Sequence, residues 1–169
     1  MEQELAIRQA DLDDINTIGF LAQQIWPQAY GQILSKEQLA YMLHLIYNPA
    51  ALKDQMLKQH HSFLVAELDE EPVGFASFSK TGRAGVYKLH KLYVRTDIQG
   101  KGLGKALINA VLEDIRALNA SALHLNVNRH NKAKQFYERF GFRVIGEEDI
   151  DIGSGYFMND YVMELTVDR

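Results

Sequence analysis

The stretch Gln99-Gly100-Lys101-Gly102-Leu103-Gly104-Lys105 decides how this 169-residue chain is read. It follows an apolar run containing Leu89, Leu92, Tyr93 and Val94, and it opens a helical pattern that starts near Leu103. A strand, a Gly-rich turn and a helix start, in that order, make an anion site. The first N–H groups of a helix have no intrahelical acceptor, and the helix dipole adds partial positive charge at the same end. Glycine permits positive φ and lets the backbone approach a phosphate with no Cβ in the way. Lys101 and Lys105 add full charges. A plain helix cap would use the same glycines, so the turn needs support from elsewhere in the chain. Two phosphate motifs are excluded. A P-loop ending at Gly104-Lys105 would need glycine where Gln99 stands and a hydroxyl where Ala106 stands. The dinucleotide pattern G-x-G-x-x-G meets Lys105 or Leu107 at its third glycine.

Composition narrows the class. With 47% hydrophobic and 24% charged residues the chain reads as soluble, globular and long enough for a core of its own, a single domain over residues 1–169. A net charge of -4 argues against general nucleic-acid binding, which wants a basic surface. The absence of cysteine excludes a disulfide framework, a thiolate metal site and a cysteine nucleophile. Met1-Glu2-Gln3-Glu4 is no secretory signal and no apolar run is long enough to span a membrane, so the expected location is the cytoplasm. His60 and His61 are adjacent at an expected loop and have no metal-ligand spacing; no metal is expected.

Outward from the turn the chain alternates between two periodicities. Leu5, Ile7 and Arg8 suggest a first strand. Asp11 and Asp13-Asp14 supply cap chemistry for a helix with Ile15, Ile18, Leu21, Ala22 and Ile25 on one face, which Pro27 should end or bend. Ser35 and Gln38, at capping-box spacing, begin a helix carrying Leu39, Met42, Leu43 and Ile46; Asn48-Pro49 stops it, and a further helical piece covers 50–59. Strands follow over 63–68, 72–78 and 86–94. Leu103, Leu107, Val111, Ile115 and Leu118 mark the helix after the turn. Leu123, Leu125 and Val127 alternate as a strand. Asn131 then caps a helix with Ala133, Phe136, Tyr137 and Phe140, closed by Gly141, and residues 143–150 and 156–166 form a last pair of strands. The order is β, two or three helices, βββ, α, β, α, ββ. It describes a mixed sheet with helices on its faces, α/β or α+β by class.

Three separated features now coincide, and together they resemble the GNAT superfamily of acetyl-CoA-dependent N-acetyltransferases. Gln99-Gly100-Lys101-Gly102-Leu103-Gly104 fits that family's pyrophosphate turn, Q/R-x-x-G-x-G/A. The preceding strand ends in Leu92-Tyr93-Val94, whose backbone would lie along the pantetheine and the acetyl group. Asn131, Ala133, Phe136-Tyr137 and Gly141-Phe142 fit the family's N-x-A-x-x-F-Y-E-x-x-G-F helix. The resemblance covers essentially the whole chain. It implies a mostly antiparallel sheet of about seven strands flanked by helices, splayed where the cofactor enters, with acetyl-CoA as acetyl donor.

The resemblance also assigns roles. Gln99 through Lys105 would seat the pyrophosphate, and the N–H near Val94 would polarise the thioester carbonyl, a contribution of about 3 kcal/mol for one well-placed donor. Tyr137 would protonate the departing thiolate; a phenol of pKa about 10 keeps its proton at neutral pH. The plain alternative has Tyr137 packing beside Phe136. Asn131 would cap its helix and bond the pantetheine arm, while Lys134 and Arg139 could reach the 3′-phosphate or remain solvated charges. The base of much of the family is a carboxylate on the strand before the turn. The matching position here is Lys88, which in its charged form cannot serve. His90, two residues on and on the same strand face, is the candidate base, with an ordinary pKa near 6.5. The acceptor pocket falls to Trp26, Tyr30, Gly31 and Tyr41 at one end and to Tyr156, Phe157, Asp160 and Tyr161 at the other, an aromatic and acidic mixture suited to a cationic amine. The run Glu147-Glu148-Asp149-Ile150-Asp151 either attracts polycations or guards an exposed strand edge. Tyr30-Gly31-x-Ile33-Leu34 with Gln38, Tyr41-Met42 and Asp151-Ile152-Gly153-x-Gly155-Tyr156 resembles bacterial spermidine/spermine N-acetyltransferases, which makes a polyamine one acceptor. Another small amine, a peptide amine, or a CoA-binding regulator without turnover remain alternatives. Neither nucleic acid nor membrane is an expected partner, and a homodimer through the last strands is a family-level expectation.

Overall fold

The structure, a computed structural model, describes residues 3–98 and 100–168. Gln99, the first residue of the opening turn, lies outside them. Seven strands and five longer helices follow one another as β1 (Leu5–Gln9), α1 (Ile15–Tyr30), α2 (Lys36–Tyr47), α3 (Pro49–Leu57), β2 (Ser62–Leu68), β3 (Glu71–Lys80), β4 (Val86–Val94), α4 (Leu103–Ala117), β5 (Ala122–Asn128), α5 (Ala133–Phe140), β6 (Arg143–Gly153) and β7 (Tyr156–Thr166). The sequence-based order holds element by element. The sheet runs β1-β2-β3-β4-β5-β7-β6. The β1–β2, β2–β3, β5–β7 and β6–β7 pairs are antiparallel and β4–β5 is parallel. This is the expected mixed, mostly antiparallel seven-stranded sheet flanked by helices.

Two compact units divide the chain, one running to Ser79 and resuming over Lys91–Val111, the other made of Lys80–His90 and the residues from Leu112 on. In the first, Ile18, Leu21, Leu52, Phe63, Phe75, Leu107 and Ile108 are fully buried. The second is centred on Ile115, Leu123, Leu125 and Met163.

Local chemistry sets the element ends. Asn48 does two jobs: its Nδ2 donates to His44 O at the end of α2, and its Oδ1 accepts from Ala51 N–H at the start of α3, where Pro49 fits the first helical position. Asp11 and Asp14 form a reciprocal capping box ahead of α1, and Arg8 grips Asp14 through two hydrogen bonds of 2.8 and 3.0 Å. Asp69 and Glu70 both have positive φ, as a two-residue hairpin turn between β2 and β3 demands.

Three expectations change. Pro27 does not end α1; the helix continues to Tyr30 with the proline inside it. Pro27 is exposed, so the carbonyl it leaves without a helical donor is on the solvent side, while Ile25, Trp26 and Tyr30 hold the turn from the core side. Asn131 is not the N-cap of α5. Lys132 occupies that place, and Asn131 Oδ1 accepts from Ala133 N–H two residues on, a local Asx turn that starts the helix later. Leu118 falls beyond the end of α4 and is 59% exposed.

Candidate active site

Within the first unit, β4 leads through a short 3-10 turn (Thr96–Ile98) into the glycines and α4. Gly100 and Gly102 have φ of +89° and +70°, and a Cβ on either would meet no protein atom within 4 Å. The positive φ values turn the backbone as an anion cradle requires, and the space beside them is open. Leu103 anchors the helix start in the core at 3% exposure, which fixes the orientation of the unpaired N–H groups of the first turn. Lys101 is exposed and its Nζ donates to Gln3 Oε1; Lys105 is exposed on α4.

The end of β4 is held close to β3. A Cβ on Gly74 would lie 2.7 Å from Tyr93 O, so only glycine allows this approach, and Arg95 N–H donates to Val73 O at 2.8 Å just beyond. Tyr93 joins an aromatic cluster in which Trp26 packs 4.6 Å from Tyr30, 5.5 Å from Tyr47 and 5.7 Å from Tyr93 between ring centroids. The Tyr30 and Tyr93 hydroxyls share a hydrogen bond of 2.7 Å. Trp26 and Tyr30, two of the sequence candidates, thus meet each other and Tyr93 of β4. Tyr41 is half-buried on α2 and Tyr47, which the sequence reading did not name, is buried. Tyr47 follows the apolar stripe of α2 by one residue after Ile46, a signal that was available. Lys91, also missed, is buried with its Nζ donating to Gln55 Oε1 at 2.7 Å. Burial lowers its pKa to about 8. It stands in the buried phase of β4, between Leu89 and Tyr93, where alternation places it in the core.

Within the second unit, α5 carries Tyr137 at 8% exposure, its ring 5.4 Å from Phe136 and 5.6 Å from Phe142. The Tyr137 carbonyl accepts from both Gly141 and Phe142 N–H, so the helix end and the aromatic neighbours fix this residue together. Lys134 pairs with Glu138 at 3.3 Å and sits 5.2 Å from the centre of the Tyr161 ring. The parallel β4–β5 ladder joins Val86–Leu89 to Ala122–Leu125 and ends there, and β5 runs on to Asn128.

The polar face of the same unit is built by register. Lys88 lies opposite His124, His124 opposite Glu164, and Asp160 opposite both Asn128 and Glu148. Partners in a ladder share a side, so these residues face one way. His124 and Glu164 are 2.9 Å apart, and Arg143 reaches Glu164 at 3.2 Å. Asn126 Nδ2 donates to Asp160 Oδ2 at 3.4 Å and to Glu148 Oε2 at 3.3 Å. Asp160 is 6% exposed, and its Oδ1 is buried with no hydrogen-bond partner among the described residues. Burial raises the Asp160 pKa, against the hydrogen bond from Asn126 and the nearby positive charge of Lys88. His90 is half-buried on β4, and Tyr156, another sequence candidate here, is half-buried at the start of β7. No cluster of three or more metal-ligating side chains exists among the described residues. No helix among them is long and apolar enough to cross a membrane.

Residues 32–163 match the acetyltransferase (GNAT) domain. The chain is 26% identical over 159 residues to the spermidine N(1)-acetyltransferase of Thermoplasma acidophilum, covering 91% of this chain and 95% of that one. It is 33% identical over 93 residues to an uncharacterized N-acetyltransferase of Methanocaldococcus jannaschii, a match spanning 52% of this chain and only 41% of its relative. A crystal structure of PaiA N-acetyltransferase from Thermoplasma acidophilum in complex with coenzyme A superposes with a TM-score of 0.82 at 24% identity, covering 96% of this chain and 99% of that one, a likeness of fold.

Proposed function

The chain belongs to the acetyltransferase (GNAT) family, whose acetyl donor is acetyl-CoA, and from that premise we propose that it transfers the acetyl group directly to an amine. The observation that carries this reading is the open, positive-φ turn at Gly100 and Gly102 ahead of the anchored start of α4. Its N–H groups and helix dipole fit a pyrophosphate. Lys101, Gly104 and Lys105 belong to the same seat, with the backbone of Leu92, Tyr93 and Val94 along the pantetheine and acetyl group. In the second unit Asn131, with Oδ1 engaged by Ala133 N–H, keeps its amide N–H groups for the pantetheine arm. Phe136 packs beside the cofactor arm, and Tyr137 gives a proton to the leaving sulfur. Lys134 would have to leave Glu138 to reach the 3′-phosphate.

The acceptor in this reading is a polyamine such as spermidine or spermine. Support comes from the spermidine acetyltransferase of similar length, from the aromatic cluster of Trp26, Tyr30 and Tyr93 within the first unit and, taken by itself, from the buried carboxylate of Asp160 within the second. Tyr41 in the first unit and Tyr156 in the second are each a further candidate acceptor contact. A CoA-binding regulator without turnover is the second reading. It is favoured by one observation, the cation of Lys88 where the family resemblance places a carboxylate. The proposal takes the chain as one working domain in the cytoplasm that acts on a small amine, not on nucleic acid or membrane, with a homodimer as its assembly. Thiol release from acetyl-CoA over a panel of polyamines, small amines and peptides tests it. Turnover confined to polyamines supports the full reading, and tight CoA binding with no turnover of any amine leaves the regulator.

A further inference from the structure

The geometry points to Asp160 as the group that takes the proton from the attacking amine. This rests on the acetyltransferase reading above and deepens it. Four observations meet at this residue. Asp160 is nine-tenths buried, and its Oδ1 accepts no hydrogen bond among the described residues. Its other oxygen is fixed by Asn126, which also holds Glu148, so the free oxygen has a set direction instead of rotating among solvent contacts. The residue lies opposite Asn128 on β5, beyond Leu125 where the ladder with β4 stops, so it stands at the segment of β5 that β4 leaves unpaired. Finally, it shares a sheet face with Lys88 and feels its charge. A cation on β4 and a buried carboxylate on β7, on one face, place a base on β7 and its counter-charge on β4.

The chemistry balances with this residue as base. An alkyl ammonium gives one proton to the Asp160 carboxylate and becomes a neutral nucleophile. Its nitrogen forms the bond to the acetyl carbon as the carbon–sulfur bond breaks, and the sulfur takes the Tyr137 proton. The second proton leaving the amine restores Tyr137, and Asp160 returns its own to water. Burial favours the role, because a carboxylate poorly served by water is a stronger base than an exposed one. The charged groups acting on it are Lys88 from β4, Arg129 after β5 and Glu148 from β6, with the His124, Glu164 and Arg143 chain further along the same face. Lys88 and Arg129 keep the carboxylate ionised; Glu148 works against them.

Asp160→Asn preserves shape and removes the base. In the acetyl-CoA assay it should lower kcat at least about 100-fold, keep acetyl-CoA affinity within twofold, and erase the acidic limb of the pH profile of kcat/KM. Lys88→Gln should move that limb to higher pH. Carbon-13 titration of the Asp160 carboxyl, which needs no turnover and no folded Asn variant, should show the same upward movement in Lys88→Gln. Retention of kcat within threefold in Asp160→Asn overturns the assignment, as does an Asp160 carboxyl whose titration ignores Lys88. A large loss in His90→Gln with none in Asp160→Asn gives the role to His90. A wild-type protein that holds CoA but turns over no amine removes the acetyltransferase reading itself, and this inference falls with it.

Discussion

The Lys91 ammonium donates to Gln55 Oε1 at 2.7 Å inside the core, with the Tyr47 and Phe63 ring centres 5.7 and 5.4 Å from the charge. Gln55 is itself fixed by donating to Ile46 O at 2.9 Å. No carboxylate pairs with Lys91 among the described residues, so a neutral amide and two ring faces do what an anion usually does. Burial therefore lowers its pKa from 10.5 to about 8.

A folded-state pKa below the unfolded value means that charging Lys91 opposes folding. The cost is fully present below pH 8 and is relieved as the pH rises toward the unfolded value, amounting to about 3 kcal/mol across the shift. Tyr47, whose phenol burial pushes well above its ordinary pKa, works in the other direction above pH 10, where the unfolded phenol ionises and the folded one does not. Stability by urea unfolding should climb between pH 8 and 10 and fall beyond. Lys91→Met should lose the climb. An unchanged climb in that variant would place its origin at other groups.

Gly102→Val should abolish CoA binding. Gly102 has φ of +70°, a conformation a β-branched residue rarely adopts, but nothing in the protein lies within 4 Å of the added Cβ. The folded state should therefore lose only the strain of the turn, about 1–3 kcal/mol. Calorimetry should show a loss of affinity for CoA of more than about 100-fold, the scale on which several charge-assisted N–H contacts disappear together. Retained affinity in a folded variant would mean that the cofactor is held elsewhere.

Much of this was legible in the chain. Period-two runs placed β4 and β5, and the stripe of Leu103, Leu107, Val111 and Ile115 placed α4, because one-sided burial imposes its period on sequence. Pro27 misled because sequence does not say which side of a helix loses its hydrogen bond to proline, and here it is the solvent side. Lys91 was visible in the alternation of Leu89, Lys91 and Tyr93, yet a lysine in a buried phase is ordinarily a sign that the phase is wrong. Asp160 named itself as an acceptor contact only by resemblance. Its pairing with Asn128 and Glu148 is a matter of long-range register, and its relation to Lys88 depends on two consecutive ladders, β4–β5 and β5–β7, that no local pattern encodes.

Tyr30→Phe separates packing from polar contact in the aromatic cluster. The change deletes the 2.7 Å hydroxyl contact with Tyr93 and keeps the ring 4.6 Å from Trp26. Stability should fall by about 1 kcal/mol, the net worth of one such bond. With Tyr30 in the acceptor pocket, KM for the amine should rise severalfold while acetyl-CoA affinity stays within twofold. An unaltered KM would confine Tyr30 to the core.

Tyr137→Phe tests the proton donor most directly. The ring is held between Phe136 and Phe142, at 5.4 and 5.6 Å, and phenylalanine keeps both contacts and the cap hydrogen bonds made by the Tyr137 carbonyl. Acetyl-CoA should therefore bind within about twofold of wild type, since the deleted atom is asked to act only as the thiolate departs. Removing a general acid typically lowers the rate by about 10²–10⁴-fold. A drop of that size in kcat, largest for slow acceptors and absent from the CoA dissociation constant, would identify the hydroxyl as the donor. A kcat equal to wild type would leave Tyr137 as a packing residue of α5 and move the donor's role to water.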